Sequence, residues 1–195
     1  MEREGEIITI QPLPITAYGC EILRVKCIPV ETVEVAKDII AKLKATMSPI
    51  RTGVGLAAPQ INSNLSAFIM RNGYSDTIIS VINPTMVKHS GALEAEEGCL
   101  SIPNTYGIVP DRYKEIEVIF YDENLKKQRM KFDRFAGNIF QHEFDHLQGI
   151  LFPDHMTKVG REEIASKLAE IESGKIQTIY PMIFSPSVTE SKTNS

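Results

Sequence analysis

The sequence predicts an α+β fold in which antiparallel β-sheets pack around a central helix that carries an HExxH motif, with additional helices near both ends of the chain. Three observations predict it: helical periodicity in three separate segments, two-residue alternation in the middle of the chain, and the chain length. The 195 residues, 43% of them hydrophobic, suffice for one sizeable core. We therefore expect a single domain over residues 1–184 and a disordered polar tail over residues 185–195.

Three segments have apolar residues three or four positions apart, the spacing of amphipathic helices. They run from Glu31 to Met47, from Phe135 to Leu147 and from about Arg161 to Ser173. Pro49 closes the first segment, and Gly149 and Gly174 are suitable C-terminal stops for the other two.

The middle of the chain has the signals of a β-sheet. Strands are predicted at Ala67–Met70, Thr77–Ile82, Glu115–Phe120 and Gln128–Phe132. The three residues Asp122-Glu123-Asn124 form a plausible hairpin connection between the last two strands, which predicts antiparallel pairing. Upstream of the sheet, the run GVGLAAPQ at Gly53–Gln60 is interpreted as a shaped loop because of its glycines and proline.

Composition and charge exclude several classes of partner. The net charge of −4 comes from dispersed residues of both signs, so no basic stripe favours nucleic acid or an anionic membrane surface. The sequence has no apolar run long enough for a membrane span and no signal-peptide pattern, so we expect no membrane association. The three cysteines are sparse and odd in number, which favours a reducing compartment, and we expect a cytoplasmic protein.

The segment His142-Glu143-Phe144-Asp145-His146 predicts a metal site. Two histidines four apart project from the same helix face and can reach one ion, while Glu143 lies beside the ion and can handle protons. The alternative is an ordinary helix with two buried histidines. We favour the metal because this segment holds half of the four histidines and is flanked by the apolar residues Ile139 and Leu147.

A catalytic metal needs a third protein ligand and an open position. A metzincin-type histidine is excluded, because Phe152 occupies its position. A gluzincin-type glutamate stays open, with four candidates at Glu162, Glu163, Glu170 and Glu172. The other candidate is Cys99, whose thiolate would suit zinc or ferrous iron and which we place in an acidic turn after Gly98. A non-catalytic structural site would add a fourth ligand from Cys20, Cys27 or His155.

Three segments taken together resemble one family, the peptide deformylases. They are GVGLAAPQ at Gly53–Gln60, EGCLS at Glu97–Ser101 and QHEFDH at Gln141–His146, and the resemblance extends from about Leu13 to Met156. It implies a metallohydrolase domain that removes the formyl group from the N-terminal formyl-methionine of newly made polypeptides and releases formate.

The resemblance implies a role for each matching residue. It makes Cys99, His142 and His146 the metal ligands and Glu143 the general base and acid for a metal-bound water that attacks the formyl carbon. The amide of Gln60 and the backbone N–H of Leu100 would stabilise the oxyanion. The substrate would be aligned by the backbone of Val54 and Gly55, and Ile139 would contribute to the methionine pocket.

The resemblance also implies cofactor and partners. It favours Fe2+ in the cell, with Zn2+, Ni2+ or Co2+ in preparations, and formylated nascent chains as substrates, with a ribosome contact left open. The sequence departs from the family pattern at Asp111, where members commonly have an arginine that pairs with the glutamate equivalent to Glu97. Arg112 comes one residue later, and the sequence leaves the partner of Glu97 unassigned.

Overall fold

A computed structural model describes residues 10–72 and 77–185, and the fold is described within these ranges. The predicted tail lies outside the described residues except for Ser185. The α-helices in the described part are α1 (Val33–Met47), α2 (Arg134–Leu147), α3 (Phe152–His155) and α4 (Lys158–Glu172). The strands there are β1 (Ile15–Thr16), β2 (Gly55–Ala57), β3 (Ala67–Arg71), β4 (Ile78–Ser90), β5 (Leu93–Cys99), β6 (Ile102–Arg112), β7 (Glu115–Tyr121), β8 (Lys127–Asp133) and β9 (Met182–Ile183).

The three predicted helices are confirmed as α1, α2 and α4, with shifted ends. Helix α4 begins at Lys158, three residues before the predicted start, because the Thr157 hydroxyl caps it by accepting a hydrogen bond from the Gly160 N–H at 3.2 Å. Gly149 follows α2 with a φ of 75°, where a side chain would collide with the carbonyl of Arg24. A glycine is therefore required at this stop.

The central sheet has the order β2-β3-β4-β7-β8, and its neighbouring strands are antiparallel. The predicted hairpin between β7 and β8 is confirmed. The Asp122 carboxylate fixes its turn by accepting hydrogen bonds from the N–H groups of Asn124 and Lys126 at 2.9 and 3.0 Å.

The interpretation of Gly53–Gln60 as a loop is wrong in part. Gly55–Ala57 forms the edge strand β2, which pairs with β3 from Phe68 to Met70, and a 3-10 helix follows at Ala58–Ile61. Strand β2 has only three residues, two of them small, so its sequence hardly indicates a strand. Pairing with β3 decides its conformation. The segment thus presents a strand edge next to α2.

The hairpin of β5 and β6 was not predicted. Its glutamates and prolines have low strand propensity, and pairing between the two strands outweighs that propensity. Cys99 consequently ends a strand instead of lying in an acidic turn, and Tyr106 lies within β6.

Helix α2 is packed between the central sheet and the β5–β6 hairpin. Phe140 anchors it to the sheet, with its ring centroid 5.2 Å from that of Phe68 and 5.6 Å from that of Phe132. The antiparallel α+β prediction is confirmed with one exception: β1 and β9 pair in parallel, Ile15 with Met182. No helix in residues 10–72 and 77–185 is long and apolar enough to cross a membrane.

Candidate metal centre

Helix α2 brings His142 and His146 to the end of β5, where Cys99 lies. The Cys99 Sγ atom is 3.3 Å from Nε2 of His146, and one donor atom from each of the three residues lies within 4.8 Å of the others. Within the described part of the chain, this is the one group of three or more Cys, His, Asp or Glu side chains close enough to hold an ion.

The other ligand hypotheses are wrong. The four glutamates considered for a gluzincin-type site, Glu162, Glu163, Glu170 and Glu172, are exposed on α4 and do not join the cluster. The proposed fourth ligands of a structural site, Cys20, Cys27 and His155, do not join it either. Cys27 packs against a core cluster, and burial raises its pKa to about 11, so its thiol is unreactive.

The donor set fits a divalent transition metal. One thiolate and two imidazoles suit zinc or ferrous iron and leave a coordination position open. Burial lowers the pKa of His146 well below its usual value, so its ring is neutral and has a lone pair for a metal. The three side chains that would hold the ion are therefore Cys99, His142 and His146.

His142 is oriented by a buried carboxylate. Its Nδ1 lies 2.7 Å from Oε2 of Glu97, which leaves Nε2 free to face the ion. Burial alone would raise the pKa of Glu97, but hydrogen bonds from His142 and Arg112 outweigh it and bring the pKa to about 2. Glu97 is therefore ionised, and it can only accept hydrogen bonds.

The partner of Glu97, unassigned by the sequence, is Arg112. Its guanidinium donates from Nε and Nη2 to the two carboxylate oxygens at 2.7 and 3.1 Å, and from Nη1 to Asp145 at 2.6 Å. Arg112 is 4% exposed and is the last residue of β6. Although it lies one position after the arginine that is usual in the family, it still forms a bidentate pair with Glu97.

The network continues to His155, which is half-buried on α3. Its Nε2 lies 2.9 Å from Oδ2 of Asp145, and this hydrogen bond, more than the opposing burial, raises the pKa of His155. The sequence did not predict the contacts that link Arg112, Asp145 and His155. These residues come from β6, α2 and α3 and share no motif.

Gln60 is held rigidly beside Cys99. Its side-chain oxygen accepts a hydrogen bond from the Ala57 N–H at 2.8 Å, and its Nε2 lies 3.4 Å from Cys99 Sγ and 3.3 Å from Ser101 Oγ. Because the oxygen is already bonded, the NH2 group must face Cys99 and Ser101. A buried donor is thus aimed at the metal cluster.

Glu143 lies on α2 between the two histidines, and it is 3% exposed. Burial raises its pKa to about 7, and its Oε2 has no hydrogen-bond partner among the described residues. Gly55 of β2 touches this carboxylate: a Cβ at that position would lie 2.7 Å from the Glu143 carboxyl carbon. A group with this pKa can exchange protons near neutral pH.

Cys99, His142, Gln60 and Glu143 line a cavity of about 480 Å³. The four remaining residues predicted at the site all line it: Val54, Gly55, Leu100 and Ile139. So do Tyr106, Phe135 and a C-terminal segment, Gln177–Tyr180, that no sequence signal placed there.

Comparison with known proteins agrees with this geometry. Residues 12–162 match the family model described as polypeptide deformylase. The peptide deformylase of Chlorobium phaeobacteroides (strain BS1) is 35% identical over 178 residues, which cover 88% of this chain and 95% of that protein.

Solved structures agree as well. The peptide deformylase of Thermus thermophilus superimposes with a TM-score of 0.76 at 35% identity, covering 82% of this chain and 96% of that one. The Plasmodium falciparum peptide deformylase in complex with an inhibitor gives a TM-score of 0.73 at 34% identity, covering 80% and 97%.

Proposed function

Because this chain belongs to the polypeptide deformylase family, we propose roles for its own side chains in the reaction of that family. The protein is a metal-dependent hydrolase that removes the formyl group from the N-terminal formyl-methionine of nascent polypeptides. The observation that carries the proposed roles is that Gln60 contacts Cys99 while Glu143, next to His142 on α2, lines the same cavity.

We assign the metal to Cys99, His142 and His146. A divalent ion bound by these three residues would make a water molecule more acidic and would polarise the formyl oxygen. Fe2+ is the ion we propose for the cell, as the resemblance to the family implies. A thiolate and two imidazoles also accept Zn2+, Ni2+ or Co2+, and the availability of each metal decides which one is bound. Metal analysis of protein purified without oxygen tests this: zinc as the main metal under those conditions would contradict it.

Glu143 moves the protons. Its carboxylate accepts the proton of the attacking water and returns it to the departing amine, so no covalent enzyme intermediate is needed. Its raised pKa and the absence of a hydrogen-bond partner for Oε2 among the described residues support this role, because an ionised carboxylate with a free oxygen can act as base and then as acid near pH 7.

Gln60 and the backbone N–H of Leu100 stabilise the charge that develops on the formyl oxygen. The Gln60 amide is suited to this because it is oriented before substrate arrives and needs no reorganisation. The edge of β2 at Val54 and Gly55 aligns the peptide backbone, and Ile139 borders the space for the methionine side chain.

The decisive assay is formate release from formyl-Met-Ala-Ser by the metal-loaded protein. We expect release by the wild type and a loss of about 10²–10⁴-fold in kcat for Glu143→Ala. Glu162→Ala, a change on the exposed face of α4, is the matched control and should keep full activity. Release by Glu143→Ala at the wild-type rate would refute the role of Glu143.

A second assay tests the ligand assignment directly. Cys99→Ala should lose the ion in dialysis, whereas the variant with all four α4 glutamates changed to Ala should retain it.

Residues 1–184 as a single domain and a cytoplasmic location stay predictions, and a contact with the ribosome stays open.

A further inference from the structure

The chain returns to the active-site cavity after α4, in a segment that the family model does not cover. Residues Gln177–Tyr180, here called the C-terminal strap, line the same cavity as Cys99 and Glu143. They lie beyond residues 12–162, which match the family model. The residues to which the resemblance assigns roles therefore do not include this wall of the cavity.

The strap is fixed by backbone pairing on its C-terminal side. Strand β9 pairs in parallel with β1, and the N–H groups of Ile15 and Ala17 donate to the carbonyls of Pro181 and Ile183, each at 2.8 Å. On the strap's N-terminal side, Ile176 packs against a buried core cluster, as does Phe184 beyond β9. The strap is thus held on both sides.

Tyr180 ties the strap to the active-site backbone. Its hydroxyl donates a hydrogen bond to the carbonyl oxygen of Leu100 at 2.9 Å, and the Thr178 hydroxyl donates to the carbonyl oxygen of Tyr180 at 2.6 Å. Leu100 is the residue whose N–H we assign to the oxyanion. The strap therefore touches the catalytic backbone directly.

Ile179 lies between these contacts and is 92% exposed. Three other exposed apolar side chains line the same cavity, namely Val54, Tyr106 and Phe135. Apolar groups gathered around a concave site, with no charge in the strap itself, are typical of a surface that binds an apolar ligand.

We infer that Ile179 is a specificity-determining residue that contacts the peptide substrate beyond its formyl-methionine and favours apolar side chains there. The inference rests on the proposed function. The formyl group must reach the partly buried cluster of Cys99, His142 and His146, so the rest of the peptide leaves through the open side of the cavity. The high exposure of Ile179 places it at that open side.

The test is equilibrium binding to metal-loaded Glu143→Ala protein, measured by titration calorimetry. Two probes are compared, formyl-Met-Leu-Leu and formyl-Met-Ser-Ser, with and without Ile179→Ser. The additional change should weaken binding of the leucine peptide about three- to tenfold, as expected for losing part of an apolar contact, and change binding of the serine peptide less than twofold.

Val159→Ser is the matched control, because Val159 is 65% exposed on α4 and does not line the cavity. Unchanged thermal unfolding shows that both variants fold. Equal effects of Ile179→Ser on the two peptides, no effect on either, or no binding of either peptide to Glu143→Ala would overturn the inference.

Formate release by the wild type separates this inference from the proposed function. Normal release together with equal effects of Ile179→Ser on the binding of the two peptides would overturn only the role of Ile179. If the metal-loaded wild type released no formate while Ile179→Ser still weakened binding of the leucine peptide alone, the deformylase function would be overturned. The apolar contact of Ile179 would then remain established.

Discussion

Nδ1 of His142 donates a hydrogen bond to the Glu97 carboxylate across 2.7 Å, and both side chains are nearly buried. This contact fixes which ring nitrogen of His142 faces the metal. It also connects the metal cluster to Arg112, because the same carboxylate holds the guanidinium. The orientation of one ligand thus depends on residues from three different elements.

Glu97→Gln should weaken metal binding about 10- to 100-fold, since the amide cannot hold both the imidazole and the guanidinium as a carboxylate does. Competition with a chelator measures the affinity. Glu94→Gln, an exposed change on the same strand, is the control and should leave it unchanged. Equal metal affinity of Glu97→Gln and the wild type would contradict the orienting role.

Gly55→Ala should reduce kcat at least tenfold. The new methyl group would overlap the Glu143 carboxylate and move it from its position beside the cluster. Gly137→Ala on α2 is the control, because a Cβ there would meet its nearest neighbour at an ordinary 3.5 Å. Steady-state kinetics on formyl-Met-Ala-Ser distinguish the two, and full activity of Gly55→Ala would show that Glu143 is free to shift.

The rate should rise with pH on the acid side. Burial raises the pKa of Glu143 to about 7, and only its ionised form can accept the proton of water. A bound cation favours the charged carboxylate and moves the pKa downward, so the ascending limb of kcat/KM should lie at or below pH 7. An ascending limb well above pH 7 would point to another group as the base.

Tyr180→Phe should lower kcat about three- to tenfold and leave KM within twofold, because it removes only the hydroxyl that holds the Leu100 carbonyl. Tyr113→Phe provides a control, since Tyr113 makes a ring stack with His89 away from the cavity. A change in KM without a change in kcat would show that Tyr180 acts on substrate binding alone.

The contact between His155 and Asp145 should stabilise the fold at low pH. Hydrogen bonding to Asp145 raises the pKa of His155 in the folded state, so the contribution is fully present below the unfolded-state pKa of about 6.5 and is lost as pH rises through the folded-state value. The loss of stability in His155→Gln should therefore shrink as pH increases.

Urea unfolding across pH 5.5–8.5 measures that loss. In an Asp145→Asn background the pH dependence of the His155→Gln effect should largely disappear, because the partner charge is gone. A loss of stability that is constant with pH would refute the ionic character of this contact.

Local patterns in the sequence were sufficient to predict much of the protein's structure. The spacing of His142 and His146 on one helix face, the periodicity of α1, α2 and α4, and the turn at Asp122 each depend on residues near one another in the chain. Such interactions are set by fixed helical and turn geometry, which is why the sequence predicts them. The order of three motifs was likewise enough to indicate the family.

Tertiary structure alone decided the contacts between distant segments. Arg112 reaches Glu97 even though Asp111 occupies the usual position, because the pairing of β5 with β6 sets where each side chain meets α2. Tyr180 meets Leu100 across 80 positions only because β9 returns to pair with β1. Neither contact has a periodicity or motif, since long-range pairing determines which residues meet.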